Sequence, residues 1–165
     1  MSVQQSSILG AKQPSAYRSV IYAGLIAGFL DVLAAVILFA NKSGNNPIII
    51  FNYIASGLIG PTAFKGGLPI VLLGLLLHFL IAFAFAILFF MIYPQVKRLR
   101  LNPLLSGFFY GIFVWFMMNF VILRLSRIPD MPLNIVDCFT ELLVLIVFLG
   151  IPISLTIDKH YKEMP

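Results

Sequence analysis

Residues 19–40 read SVIYAGLIAGFLDVLAAVILFA, an apolar run with a single acid, Asp31, near its middle. A helix of about 20 apolar residues is long enough to cross a bilayer. The central Asp31 opposes insertion by about 2.5–3.5 kcal/mol, whereas the larger apolar residues of the run together favour it by about 4–7 kcal/mol. The balance predicts a membrane span at about 19–40.

Three further runs of similar length follow, at about 69–93, 103–123 and 135–157. The chain has 165 residues, of which 61% are hydrophobic and 10% are charged. This composition excludes an ordinary soluble domain. We predict an all-α integral membrane protein, a single domain over 1–165 that forms a four-helix bundle. The first run is too long for a signal peptide and lacks a clear cleavage site, so we expect it to remain as the first span.

A shorter segment, NNPIIIFNYIASGLIGP, lies between the first two spans at 45–61. Asn46 as cap, Pro47 at the first helical position and Gly60 with Pro61 as a stop predict a helix over about 47–59. It is too short to span. It can be an interfacial lid helix, which we favour, or a re-entrant element that dips into the membrane.

The basic residues predict the orientation. One side would hold Lys12, Arg18, Lys97, Arg98, Arg100, Lys159 and Lys162, and the other Lys42, Lys65, Arg124 and Arg127. The richer side faces the cytoplasm, so we expect a bacterial inner-membrane protein with both termini cytoplasmic and the short helix on the outward side. The net charge is +5, but no long basic tract is present. Contact with the lipid bilayer, and not with nucleic acid, is therefore the expected role of these residues.

An internal repeat is visible. LIAGFLD at 25–31 aligns with LLSGFFY at 104–110, and GLLLHFLIAF at 74–83 aligns more weakly with ELLVLIVFLG at 141–150. This pattern predicts two tandem two-helix hairpins related by a pseudo-twofold axis along the membrane normal. The alternative is chance similarity between apolar runs. The glycine pairs Gly24/Gly28 and Gly107/Gly111 have close-packing spacing, and we expect them to pack helices within the bundle.

The segments AGLIAGFLDVLAA (23–35), FNYIASGLIGPTAFKGG (51–67) and GLLLHFLIAF (74–83) resemble YagU-like proteins, which are uncharacterised four-span proteins of the bacterial inner membrane. The resemblance implies a small inner-membrane protein and assigns no biochemistry to it.

Five polar residues in the predicted spans are candidates for binding a ligand or protons: Asp31, His78, Glu141, Asn119 and Asp137. At 1.5 Å of rise per residue, all five fall in the outward half of their spans. Intramembrane acids are costly and often mark function. We predict that Asp31 and His78 touch directly or through one water, with Glu141 entering from the fourth span.

Each candidate also has a structural interpretation. Asp137 is the third helical position after Asn134, where a carboxylate caps a helix. Asn119 can join two helices by a hydrogen bond, and His78 can be a hydrogen-bonded core histidine. Only Asp31 and Glu141 resist such an interpretation.

The sequence contains no pattern typical of a catalytic or cofactor site. One histidine with scattered carboxylates lacks metal-ligand spacing, and the single Cys138 excludes an intrachain disulfide. We therefore expect no metal or cofactor and no catalytic residues. Two functions remain: a structural or accessory membrane subunit, which we expect first, and a small transporter or channel in which the Asp/His/Glu cluster handles protons or a small cationic solute. A homo-oligomer and a larger membrane complex are both open, and an intramembrane enzyme has little support.

Overall fold

A computed structural model describes residues 16–43, 46–96, 99, 101–128 and 134–163. Every regular element in this part of the chain is helical, which confirms the all-α class. We label the helices α1 (Ala16–Ser43), α2 (Ile49–Ile59), α3 (Leu68–Ile92), α4 (Pro103–Leu125) and α5 (Ile135–Lys162). All except the short α2 are long and apolar enough to cross a membrane. A 3-10 helix, Gly60–Lys65, links α2 to α3.

Local sequence explains where several helices begin and end. The Asn46 side chain accepts a hydrogen bond from the backbone N–H of Ile48 at 3.1 Å, and α2 starts one residue later. Gly60 ends α2 with a φ of 74°, a conformation that glycine adopts without a Cβ clash. The side chains of Asn102 and Asn134 cap α4 and α5 by accepting hydrogen bonds from backbone N–H groups of the first turn.

The end of α5 lies beyond the predicted end of the fourth span. The predicted span ended at Ile157, but the helix continues to Lys162. Asp158 and His160 are buried in this extension. The Asp158 side chain is hydrogen-bonded to Tyr93, and the His160 side chain to Ser19. These two polar side chains therefore join α5 to other parts of the bundle and are not hydrated by solvent.

Two long helices contain a π-helical stretch. In α5 it covers Leu145–Gly150, just before Pro152. Proline has no backbone N–H and its ring crowds the carbonyl four residues earlier, so the α-helical hydrogen-bond pattern cannot continue unchanged. The segment before Pro152 thus changes its helix type. In α4 the π-helical stretch covers Met118–Ile122 and includes Asn119.

Helices approach most closely at glycines. A Cβ atom added to Gly28 of α1 would lie 3.0 Å from the Phe79 ring of α3, and one added to Gly111 of α4 would lie 2.5 Å from the Cα atom of Ile146 in α5. Because glycine lacks that atom, the backbones of α1 and α3, and of α4 and α5, can come together. Both glycine pairs therefore pack helices within the bundle, as predicted.

The short helix α2 defines one end of the bundle. The Phe51 carbonyl of α2 packs on α3 at Gly74, where an added Cβ would lie 2.0 Å from the carbonyl oxygen. Beyond the end of α4, the backbone N–H of Arg127 donates to the Gly57 carbonyl at 3.0 Å. We call this the lid end, and we call the opposite end, with the start of α1 and the end of α5, the terminal end.

The connector between α3 and α4 belongs to the terminal end. The Ser106 hydroxyl, in the first turn of α4, donates to the Leu99 carbonyl at 2.8 Å. The basic residues Lys97, Arg98 and Arg100 of this connector, and Lys12, lie outside the described residues.

Candidate functional site

A cavity of about 300 Å³ lies between the four long helices, in the half of the bundle nearer the lid end. Helix α2 contributes part of its wall, so α2 covers the cavity from that end. Most of the wall is apolar, and all three members of the Asp/His/Glu cluster, Asp31, His78 and Glu141, line it. The lining consists of Asp31, Val32, Ala35, Leu38, Ile50, Tyr53, Ile54, His78, Ile81, Ala82, Phe85, Val114, Met118, Glu141, Val144, Leu145 and Leu149.

Asp31 brings an acid to the cavity from the middle of α1. Its side chain is half-buried. No hydrogen bond or ion pair from another described side chain satisfies its carboxylate. A carboxylate in such a place requires water or a polar ligand to compensate for the loss of hydration. Asp31 is therefore the main reason to expect water or a polar ligand in the cavity.

His78 reaches the cavity from α3 and is held by α1. Its Nε2 atom lies 2.8 Å from the backbone carbonyl oxygen of Gly28. A carbonyl oxygen only accepts hydrogen bonds, so Nε2 must carry the proton and donate. Gly28 and Ala82 provide the small surfaces beside His78 that let α1 and α3 approach. His78 is therefore hydrogen-bonded, as its structural interpretation requires, but it is half-buried and lines the cavity.

The predicted contact between Asp31 and His78 takes a different form from a direct hydrogen bond. Both side chains line the same cavity. In the part of the chain that the structure describes, the only hydrogen bond of the imidazole is to Gly28, three residues before Asp31. Contact through one water stays a prediction.

Glu141 enters the cavity from α5, as predicted, and is attached to α4. Its Oε2 atom accepts a hydrogen bond of 3.3 Å from the Nδ2 amide of Asn119. The same amide donates to the Trp115 carbonyl at 3.0 Å. Asn119 therefore joins two helices, the structural role considered for it, and it fixes the Glu141 carboxylate. The buried Trp115 indole N–H has no hydrogen-bond partner among the described residues.

Asp137 does not belong to the cavity. It forms an ion pair with Lys42, the last basic residue of α1, and both side chains are largely exposed. The helix cap is Asn134, whose side chain accepts from the Val136 backbone N–H at 3.0 Å. Asp137 thus joins the ends of α1 and α5 at the lid end, where an exposed pair contributes little to stability.

Tyr53 is a cavity residue that the sequence did not reveal. It lies on α2 and lines the cavity with Ile50 and Ile54. Burial raises the pKa of the Tyr53 hydroxyl, and the nearby charge of Glu141 raises it further. Tyr53 can therefore offer the cavity a neutral hydroxyl. The only sequence signal was its place on one face of the lid helix.

A second polar cluster, also missed, lies at the terminal end. The Tyr93 hydroxyl donates to Asp158 Oδ1 at 2.5 Å, and the Lys162 ammonium lies 2.8 Å from Asp158 Oδ2. Ser19 Oγ and His160 Nδ1 are joined by a hydrogen bond of 2.9 Å. The Asp158 and Lys162 spacing of four residues was the available signal.

No family model, no curated protein and no solved structure matches this chain. The resemblance to YagU-like proteins therefore stays a prediction, and the candidate site has to be interpreted from its own chemistry.

Proposed function

We propose that the protein crosses a bacterial inner membrane four times, through α1, α3, α4 and α5, with both termini in the cytoplasm. The outer faces of the helices are apolar. On α3, Leu72, Leu76 and Leu80 form a stripe with 55, 56 and 55% of their surface exposed. Soluble proteins rarely present such continuous apolar surface, whereas lipid tails cover it without cost. The orientation rests on the distribution of basic residues.

Within that membrane domain, the proposed function is to bind a small organic cation in the cavity and to exchange it for protons across the bilayer. One observation carries the proposal. Two carboxylates from different helices, Asp31 and Glu141, face one largely apolar cavity. Among the described residues that line it, none is a lysine or an arginine. The cavity therefore has negative polar groups for a cationic centre and apolar walls for a hydrocarbon body.

The electrostatic attraction is large enough to provide selectivity. At about 6 Å and an effective dielectric constant of about 20, a cation and a carboxylate attract each other by about 3 kcal/mol. Apolar groups of the ligand would add about 25 cal/mol for each Å² that they bury. A neutral ligand of the same shape would gain only the second contribution, so the cavity should discriminate by charge.

The same acids explain coupling to protons. When the cation leaves, a carboxylate in apolar surroundings is stabilised by taking up a proton. Binding of the cation and binding of the proton then compete for Asp31 and Glu141. Such competition is what an exchanger requires.

The cavity supports one of the two functions expected from sequence over the other. A purely structural subunit has no use for a 300 Å³ space with two acids in it, since native interiors are otherwise tightly packed. We therefore favour the small transporter over the structural or accessory subunit.

The test is a titration of the purified full-length protein with phenyltrimethylammonium, and with tert-butylbenzene as its neutral isostere. We expect the cation to bind and the neutral isostere to bind at least about tenfold more weakly. Asp31→Asn and Glu141→Gln should each weaken cation binding by about tenfold or more. Asp137→Asn is the matched control, because it removes an acid outside the cavity, and it should leave binding unchanged.

Two outcomes would contradict the proposal. One is equal affinity for the cation and its neutral isostere. The other is cation binding that survives Asp31→Asn in a variant with the wild-type melting temperature. For transport itself, proteoliposomes with an acidic interior should accumulate the cation, and dissipating the pH difference should abolish the accumulation.

A further inference from the structure

A second concave surface lies at the terminal end, between the start of α1 and the end of α5. This groove has a volume of about 520 Å³ and is separate from the cavity under α2. Its lining consists of Arg18, Ser19, Tyr22, Ile26, Leu155, Thr156, Lys159, His160 and Glu163.

The floor of the groove is a fixed polar pair. Ser19 Oγ and His160 Nδ1 form a hydrogen bond of 2.9 Å, with 9% and 3% of the two residues exposed. The His160 ring packs against the Phe90 ring, with the centroids 5.5 Å apart. The hydrogen bond between Ser19 and His160 joins α1 to α5. It thereby fixes the backbone positions of the neighbouring residues Arg18 and Lys159.

Two cationic side chains flank that floor. Arg18 precedes Ser19 on α1, Lys159 precedes His160 on α5, and both are exposed. Among the described residues, the ion-pair contact of Lys159 is a long one of 3.9 Å with the exposed Glu163 carboxylate, whereas Lys162 lies 2.8 Å from the buried Asp158. Arg18 and Lys159 are the Lys and Arg side chains among the described residues that line the groove, and both are exposed to an incoming anion.

The rest of the groove is apolar and lies deeper along the bundle axis. Ile26 is eight residues after Arg18, which is roughly 12 Å along an α-helix. Ile26 and Leu155 expose 44% and 42% of their surface, and Tyr22 lies between the charged and the apolar levels of the groove. Tyrosine is enriched at the height of lipid headgroups.

We propose that this groove binds an anionic phospholipid. The Arg18 guanidinium and the Lys159 ammonium hold the phosphate, since guanidinium binds phosphate oxygens in a bidentate manner. One acyl chain lies along Ile26 and Leu155. The Glu163 carboxylate competes with the phosphate for Lys159, and its exposed position lets it turn toward water when the lipid binds. Basic pockets between helices on the cytoplasmic side are suited to this class of lipid.

The test measures the melting temperature of the purified full-length protein in a neutral detergent as lipid is titrated in. We expect phosphatidylglycerol to stabilise the protein and phosphatidylcholine to have a much smaller effect. Each cation near a membrane surface contributes enough to account for about a fivefold change in affinity. Arg18→Gln and Lys159→Gln should thus each weaken phosphatidylglycerol binding by about fivefold, and the double variant by about 25-fold.

Lys65→Gln is the matched control, since it removes the same charge from an exposed lysine at the lid end, and it should retain wild-type affinity. Arg18→Lys should recover part of the affinity lost in Arg18→Gln. A melting curve without lipid shows whether each variant is folded.

Three results would overturn the assignment. The first is equal stabilisation by phosphatidylcholine. The second is full phosphatidylglycerol binding by a folded Arg18→Gln, Lys159→Gln double variant. The third is stabilisation by inorganic phosphate as strong as that by the lipid, which would make the groove a site for free anions.

Discussion

Replacing Tyr93 with phenylalanine tests whether the buried cluster at the terminal end stabilises the bundle. Tyr93 is 1% exposed and Asp158 is 6% exposed, and the hydroxyl donates to the carboxylate at 2.5 Å. Phenylalanine keeps the ring and its packing on Tyr161 and removes only the hydroxyl. Asp158 would then keep Lys162 as a partner and lose its buried one.

The expected loss follows from that geometry. A hydrogen bond to a charged group contributes about 1.5–3 kcal/mol. Because Lys162 still compensates part of the charge, we expect a loss of about 2 kcal/mol in the free energy of unfolding. For a chain of this size that corresponds to a fall of about 4–8 °C in melting temperature.

The assay is thermal melting of purified protein in one detergent, with Tyr17→Phe as the matched control. Tyr17 is 68% exposed, so loss of its hydroxyl should change the melting temperature by less than about 1 °C. The effect of Tyr93→Phe should also shrink in an Asp158→Asn background, because the two residues are coupled. A Tyr93→Phe variant as stable as the wild type, or a loss of equal size in both backgrounds, would refute the reasoning.

Two further substitutions test the packing and the cavity. Gly111→Leu should destabilise the protein by about 2 kcal/mol or more, because the new Cβ would lie 2.5 Å from the Ile146 backbone; Gly67→Ala, with open space around its Cβ, should be tolerated in the same melting assay. His78→Ala should cost more stability in the wild type than in an Asp31→Asn background, by about 0.5 kcal/mol or more, if water joins the two side chains. Additive losses would show that Gly28 is the partner that matters for His78.

The helical class and the caps could be predicted because their signals are local. The length of each apolar run is read directly from the sequence. Asn102 and Asn134 hydrogen-bond to residues two or three positions away, so the cap and the helix start lie in the same short segment. No partner element has to be known for either inference.

The end of α5 could not be predicted in that way. Asp158 and His160 are polar, and polar residues after an apolar run normally indicate the end of a span. Their partners are Tyr93 and Ser19, which are 65 and 141 positions away in the sequence. A polar side chain can be buried only if another part of the fold supplies a hydrogen-bond partner. The sequence of the segment itself does not show whether such a partner exists.

The candidate site lies between these two cases. Depth along each span predicted that Asp31, His78 and Glu141 would lie in the same half of the bundle, and all three line one cavity. Depth does not give the rotation of a helix about its axis or the position of a lid. The sequence therefore could not distinguish Asp31 from the Gly28 carbonyl as the partner of His78, since the two are only about 4.5 Å apart along α1. For the same reason it could not place Tyr53 over the cavity.

The position of the cavity follows from where the small residues lie along the bundle. The close helix contacts are made by four glycines: Gly24 and Gly28 on α1, and Gly107 and Gly111 on α4. All four lie nearer the terminal end than Asp31 and Glu141. They let α1 pack closely on α3, and α4 on α5. On α4, the π-helical stretch Met118–Ile122 lies beyond these glycines toward the lid end. The cavity lined by Asp31 and Glu141 lies between these glycines and α2. We expect an exchanger with this structure to admit its cation from the lid end by movement of α2, because Ile50, Tyr53 and Ile54 of α2 form part of the cavity wall there.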